Sequence, residues 1–170
     1  MSRSMNDRKK EFRSGIVDGI PIALGYLAVS FTFGIMAGDA GLTIAQAVLL
    51  SLTNLTSAGQ FAGLGVIQAG ASLAEMALTQ LIINLRYCLM SCSLSQKLPR
   101  TMPFFHRFFM AYGVTDEIFG VSVCREGNVS PWYSYGLMSA AVPGWTIGTL
   151  LGAVSGSLLP QRLLSALSVA

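Results

Sequence analysis

The sequence predicts an all-α, polytopic integral membrane protein with about five membrane segments, one of them discontinuous or re-entrant. Three observations carry this prediction. First, 52% of the 170 residues are hydrophobic and 11% are charged, against about 25% charged in an ordinary soluble domain. So few charges cannot cover a globule with water-compatible surface. Second, the apolar residues come in runs long enough for helical spans of about 20 residues. Third, no charge occurs between Asp39 and Glu75, yet the middle of that stretch reads Thr53-Asn54-Leu55-Thr56-Ser57-Ala58-Gly59-Gln60. A polar, glycine-bearing knot between apolar runs is tolerated at membrane depth only where it lines a cavity or is covered by protein. That is the pattern of a broken helix, the element that builds many transporter sites.

The chain divides into a basic tail, 1–14, a helical membrane domain, 15–162, and the start of a further segment, 163–170. The tail carries Arg3, Arg8, Lys9, Lys10 and Arg13 against Asp7 and Glu11, and it is expected to be exposed and cytoplasmic. Ile16–Ala37 follows with one charge, Asp18, and is longer than a signal-peptide core. Gly15, Gly19 and Ala23 form a small-residue face that lets helices approach. Pro21 removes a backbone donor near the helix start. Asp18 reads as an interfacial carboxylate at a helix N-terminus. Asp39-Ala40-Gly41 is a turn, and Leu42–Gly70 is the uncharged stretch with the polar knot.

Ser72 with Glu75 has capping-box spacing and starts a helix expected over Leu73–Gln96, with Asn84 and Arg86 near its centre. Lys97–Arg107 is a basic, proline-bearing loop flanked by Phe104, Phe105, Phe108 and Phe109, which suit the bilayer surface. A helix over Phe108–Cys124 would hold Asp116 and Glu117 in mid-span. After the turn Arg125-Glu126-Gly127-Asn128, the residues Pro131, Trp132, Tyr133 and Tyr135 form an interfacial aromatic belt. They open a helix to about Leu159. Its small residues Ala140, Gly144, Gly148, Gly152 and Gly156 make a stripe for tight helix packing. Pro160-Gln161-Arg162 ends it. Leu163–Ala170 would reach about 12 Å as helix, too short for about 30 Å of hydrocarbon, so the chain reads as C-terminally shortened.

Charge leaves two topologies open. If Leu42–Gly70 crosses once, the basic loop Lys97–Arg107 falls opposite the basic tail, against the positive-inside tendency. If that stretch enters and returns, both basic segments share a face. Arg162 then joins them, and the Arg125–Glu126 turn lies opposite. Counting inward from the loop places Arg86, Asp116 and Glu117 at similar depth, roughly 15 Å in. Lone charges there are costly, so Arg86 is expected beside Asp116 or Glu117.

Other chemistry is poorly provided for. The net charge of +3 reflects topology rather than a nucleic-acid surface. The single His106 and three cysteines, Cys88, Cys92 and Cys124, complete no metal-ligand set, and the cysteines read as small packing residues. No hydrolase nucleophile motif occurs, so neither enzymatic activity nor a metal or cofactor is expected.

Four motifs in order, Gly19-Ile20-Pro21 with Gly34, Ser57-Ala58-Gly59-Gln60-Phe61-Ala62, Asn84-Leu85-Arg86-Tyr87 and Asp116-Glu117, resemble the AzlC family of branched-chain amino acid permeases. The resemblance covers about residues 12–162. Tyr87 departs from the pattern, standing where the family more often has histidine. The resemblance implies the large subunit of a two-component exporter in the bacterial inner membrane, with a small AzlD-type membrane subunit and coupling to protons. It implies hydrophobic amino acids as substrate: valine, leucine, isoleucine or methionine. A zwitterion needs donors for its carboxylate and acceptors for its ammonium. The broken-helix end at Ser57, Ala58, Gly59 and Gln60, with Asn84, is the candidate substrate site, and Phe61 and Leu64 are candidate walls for the side chain. Asp116 or Glu117 would balance the ammonium or carry the proton, with Arg86 as ion-pair partner. The competing reading is a non-transporting membrane scaffold or accessory subunit, or an inactive shortened copy, in which the same residues only fix helix packing.

Overall fold

The computed structural model describes residues 4–158, which are helical and contain no strand. Eight helices follow in order: α1 (Met5–Asp39), α2 (Ile44–Thr53), α3 (Ala58–Gln68), α4 (Leu73–Asn84), α5 (Arg86–Gln96), α6 (Phe104–Tyr112), α7 (Asp116–Cys124) and α8 (Pro131–Leu158). Among the described residues, three stretches are long and apolar enough to cross a bilayer: Met5–Asp39, Leu73–Gln96 and Pro131–Leu158. α4 and α5 make up the second, because Leu85 between them keeps helical backbone (φ −57°, ψ −30°).

Local signals account for the helix starts. Thr43 and Gln46 form a capping box at α2, with Thr43 N donating to Gln46 Oε1 at 2.8 Å and Gln46 N to Thr43 Oγ1 at 3.3 Å. Ser72 and Glu75 repeat it at α4, at 2.7 and 3.3 Å. Each box satisfies N–H groups that a helix start otherwise leaves open. Pro131 takes the first position of α8, where its missing N–H costs nothing. The basic tail is itself helical from Met5. Asp18 therefore lies turns inside α1 rather than at its N-terminus, and it accepts from Tyr133 Oη at 2.7 Å.

The chain forms two compact units, 4–23 with 85–143 and 24–84 with 144–158. In the first, α1 and α8 approach backbone to backbone. A Cβ on Gly15 would run into Tyr133 O, one on Gly19 would meet Ala140, and one on Gly136 would strike Phe12 O. The contact numbers rise together on the two helices, so α1 and α8 run in the same direction. Arg125 pairs with Glu11 at 2.9 Å and stacks 3.8 Å over the Tyr133 ring. Lys97 donates to Val123 O at 2.6 Å and to Arg125 O, and Val129 N donates to Lys97 O at 2.9 Å.

These contacts correct the expected topology. The Arg125–Glu126 turn lies with the basic tail and Lys97, not opposite them. The reason is a break: the helix expected over Phe108–Cys124 is interrupted at Gly113–Thr115, giving α6 and α7 of nine residues each. Nine residues reach about 13 Å, too little to cross. α7 packs along α5 and returns the chain to Lys97. α6 and α7 thus form a second re-entrant pair. The expected placement of Arg162 lies outside the described residues.

In the second unit, Phe33, Ala37, Ala47, Leu64 and Ala153 form the buried core. This decides between the readings of Leu42–Gly70. One straight helix would separate Ala47 from Leu64 by about 25 Å. Here both pack with Phe33 and Ala37, four residues apart on α1, so α2 and α3 double back. The small-residue stripe of α8 seats against α1, Gly148 against Leu27 and Ser30, Gly152 against Phe31 and Gly156 against Ile35. Gly144 is buried. Along α4 and α5, by contrast, Leu73, Leu78, Leu81, Ile82, Leu85 and Leu89 are all exposed.

Candidate functional site

The break between α2 and α3 runs from Asn54 to Ser57. Ser57 holds φ +44°, ψ −89° and is the one non-glycine residue with positive φ among those described. Such a conformation costs on the order of 1–3 kcal/mol and persists only where its surroundings enforce it. Two residues on, Gly59 sits in a cradle of side-chain oxygens. A Cβ there would lie 2.5 Å from Thr56 Oγ1, 2.9 Å from Gln80 Oε1 and 3.0 Å from Asn84 Oδ1. Gln80 Nε2 donates to Gly59 O at 2.8 Å, and Asn84 Nδ2 donates to Gln80 Oε1 at 3.0 Å. Thr56 Oγ1 and Asn84 Oδ1 are buried with no hydrogen-bond partner among the described residues.

Gln60 faces elsewhere. It is 2% exposed, and its Nε2 donates to Ser51 Oγ at 3.2 Å. Ser51 Oγ lies 2.7 Å from Thr149 Oγ1, which donates to Trp145 O at 3.0 Å. A chain of polar groups thus ties the start of α3 to α2 and α8 through the core. Phe61 packs edge-on against Phe33, centroids 5.5 Å apart. Leu64 is fully buried in the core and so is no wall of an open site. Ala58 is exposed and Ser57 half-buried.

Of the residues predicted to bind substrate, the structure brings Gly59 and Asn84 together, with Ser57 as the strained entry. Sequence reasoning missed Thr56, Gln80, Ser51 and Thr149. Gln80 had a legible signal: it lies four before Asn84 in an apolar helix, so the two amides share a face. Ser51 and Thr149 had none, being isolated hydroxyls in apolar runs.

The second break, Gly113–Thr115, is charged. Thr115 caps α7, accepting from Ile118 N at 3.3 Å, and Asp116 and Glu117 occupy the first turn. They are therefore not in mid-helix, as expected, but at a helix start, where the dipole favours carboxylates. Arg86 Nη1 lies 2.6 Å from Asp116 Oδ2, the two side chains 39% and 44% exposed. The Arg86 guanidinium is 5.4 Å from the Tyr87 ring, and its Nε is buried without a partner among the described residues.

No group of three metal-ligating side chains occurs among the described residues. Cys88, Cys92 and Cys124 are free and exposed, so they face out of the chain rather than into helix contacts. His106 Nδ1 lies 2.8 Å from Tyr135 Oη.

Comparison with known proteins adds a family. The family model for the AzlC protein matches residues 21–159. An uncharacterized membrane protein of Archaeoglobus fulgidus is 35% identical over 148 residues, 87% of this chain and 64% of its own length. The inner membrane protein YgaZ of Escherichia coli K12 is 30% identical over 154 residues, 88% of this chain and 63% of its own. An uncharacterized membrane protein of Helicobacter pylori J99 is 26% identical over 156 residues. The chain thus spans just under two thirds of the length of the first two relatives. No solved structure matches it.

Proposed function

The chain belongs to the AzlC family, and on that premise we propose that it acts in a multi-pass inner-membrane exporter of hydrophobic, zwitterionic amino acids. Valine, leucine, isoleucine and methionine are the substrates this reading names. It works without catalysis, with a small AzlD-type membrane subunit as partner, driven by the proton gradient. The observation that carries the reading is the break at Asn54–Ser57. Side chains from the linker and from α4 turn their oxygens onto Gly59 there, inside a stretch without charge from Ala40 to Ala74. Polar groups are costly at that depth and mark substrate or ion paths.

The division of labour follows from the chemistry at each break. The first turn of α3, over Ser57–Gln60, offers backbone N–H groups and the positive end of a helix dipole to a carboxylate. The charged break supplies the coupling, with Asp116, held by Arg86, or its neighbour Glu117 taking up and releasing the proton. The gathering of basic residues of the tail with Lys97 and Arg125 supports a cytoplasmic position for that face. The test is export in cells that lack their own exporters and express this chain with its AzlD-type partner. Tolerance of added valine and methionine rises, and preloaded substrate leaves faster. Unchanged tolerance and efflux with both subunits present in the membrane would sink the reading.

A further inference from the structure

The cradle at Gly59 has a polarity that the local hydrogen bonds determine. Gly59 O is a backbone carbonyl and can only accept. Gln80 must therefore turn its amide nitrogen toward it, at 2.8 Å. That points Gln80 Oε1 at Asn84, which must answer with its own nitrogen, at 3.0 Å. The atom left over on Asn84 is then the oxygen Oδ1. A flipped amide at either position would set two acceptors against each other, so the orientation propagates from the carbonyl outward. The result is an excess of acceptors. Thr56 Oγ1 and Asn84 Oδ1 are buried and unpaired among the described residues, and Gln80 Oε1 keeps a second lone pair. Their distances to the Cβ position of Gly59 put all three oxygens within 6 Å of one another.

An anion would meet two amide oxygens here and a single donor, the Thr56 hydroxyl. We propose that the Thr56–Gln80–Asn84 cluster binds a compact monovalent cation through neutral oxygens, either the primary ammonium of the amino acid or a free sodium ion. Both satisfy the same lone pairs, the ammonium by donating and sodium by coordination. The ammonium source rests on the amino acid reading of this break; the cation site itself does not. It also moves the ammonium from Asp116 or Glu117, where the sequence suggested it, to a site without formal charge. A neutral cage suits a ligand that must leave again, because it exacts less desolvation than a carboxylate would. Gly59 is then explained as well: any side chain there would fill the cage from within.

The full chain in lipid nanodiscs is titrated with leucine, with 3-methylbutylamine (the ammonium without the carboxylate), with 4-methylpentanoate (the carboxylate without the ammonium), and with sodium against choline. If the ammonium is the ligand, Thr56→Val weakens leucine and 3-methylbutylamine about tenfold, as loss of a hydrogen bond to a charged group implies. Thr56→Ser restores them, and 4-methylpentanoate does not respond. If sodium is the ligand, the same pair of variants weakens and restores the sodium response while the amine is indifferent. Thr56→Asp, which puts a carboxylate in place of the hydroxyl and leaves the Asn84–Gln80 hydrogen bond intact, tightens the cation in either case, and it serves where Thr56→Val does not fold. The proposal is overturned if Thr56→Val affects 4-methylpentanoate alone, if no cation responds to it, or if Thr56→Asp weakens cation binding. A wild-type chain that binds 3-methylbutylamine or sodium but none of the four amino acids leaves the cation site standing and removes the exporter reading. Amino acid binding in the wild-type chain, with neither an amine nor a sodium response to Thr56→Val, does the reverse.

Discussion

The two helix breaks meet the same backbone problem with opposite chemistry. At Gly113–Thr115 the new helix is finished locally: Thr115 caps it, two carboxylates meet its dipole, and Arg86 answers Asp116. At Asn54–Ser57 no side chain caps α3, Ser57 is strained, and the buried oxygens Thr56 Oγ1, Gln60 Oε1 and Asn84 Oδ1 lack partners among the described residues. A finished, charged break suits a group that holds or hands on a proton. An unfinished, neutral one suits a ligand that completes it. Both form hairpins from short helices, so the difference lies in the side chains rather than the backbone path.

The sharpest way to break the comparison is topological. If α6 and α7 double back as α2 and α3 do, Arg100→Cys and Asn128→Cys, each in a chain stripped of Cys88, Cys92 and Cys124, are labelled from the same side of the membrane by an impermeant thiol reagent. Labelling from opposite sides would make α6 and α7 a crossing helix. Next in size is the charged break. Arg86→Leu leaves Asp116 without its partner and lowers flux at least about a hundredfold. In the double variant with Asp116→Leu, expression and thermal stability return but flux does not. Full flux in the double variant would show a plain structural lock.

At the neutral break Gly59→Val puts carbon where Thr56, Gln80 and Asn84 converge, and ligand binding falls more than about tenfold while the membrane-inserted yield is kept. The smallest effects have opposite signs. Thr115→Ala removes a cap and destabilises by about 1 kcal/mol. Ser57→Gly relieves a positive φ and stabilises by about 1 kcal/mol. Thermal unfolding in detergent reads both, and a shift of the same sign at the two positions would erase the contrast.

Several of these features are legible in the amino-acid sequence. The capping boxes are local, and one appears where Ser72 and Glu75 announce it. The depth count that places Arg86 with Asp116 works because α6, from Phe104 to Tyr112, leads the chain from the loop to the break where Asp116 meets Arg86. The same count hides the second break. Gly113-Val114-Thr115-Asp116-Glu117 has the glycine, the cap and the acidic first turn of a helix start, yet its apolar flanks read as one continuous span. The cysteines mislead for a related reason: an apolar helix facing lipid and one facing protein have the same composition.

What the sequence alone determined is what the bilayer demands of any chain. Long uncharged apolar runs must be helical there, and a polar, glycine-bearing interruption must be sheltered, because unpaired backbone has no water to turn to. Tertiary structure decided which groups meet. Thr56, Gln80 and Asn84 share a cage only because α3 runs back along α4, and Arg125 meets Glu11 only because α7 returns the chain to its starting face. Such contacts join residues far apart in the chain, and direction of return is a property of packing, not of local composition.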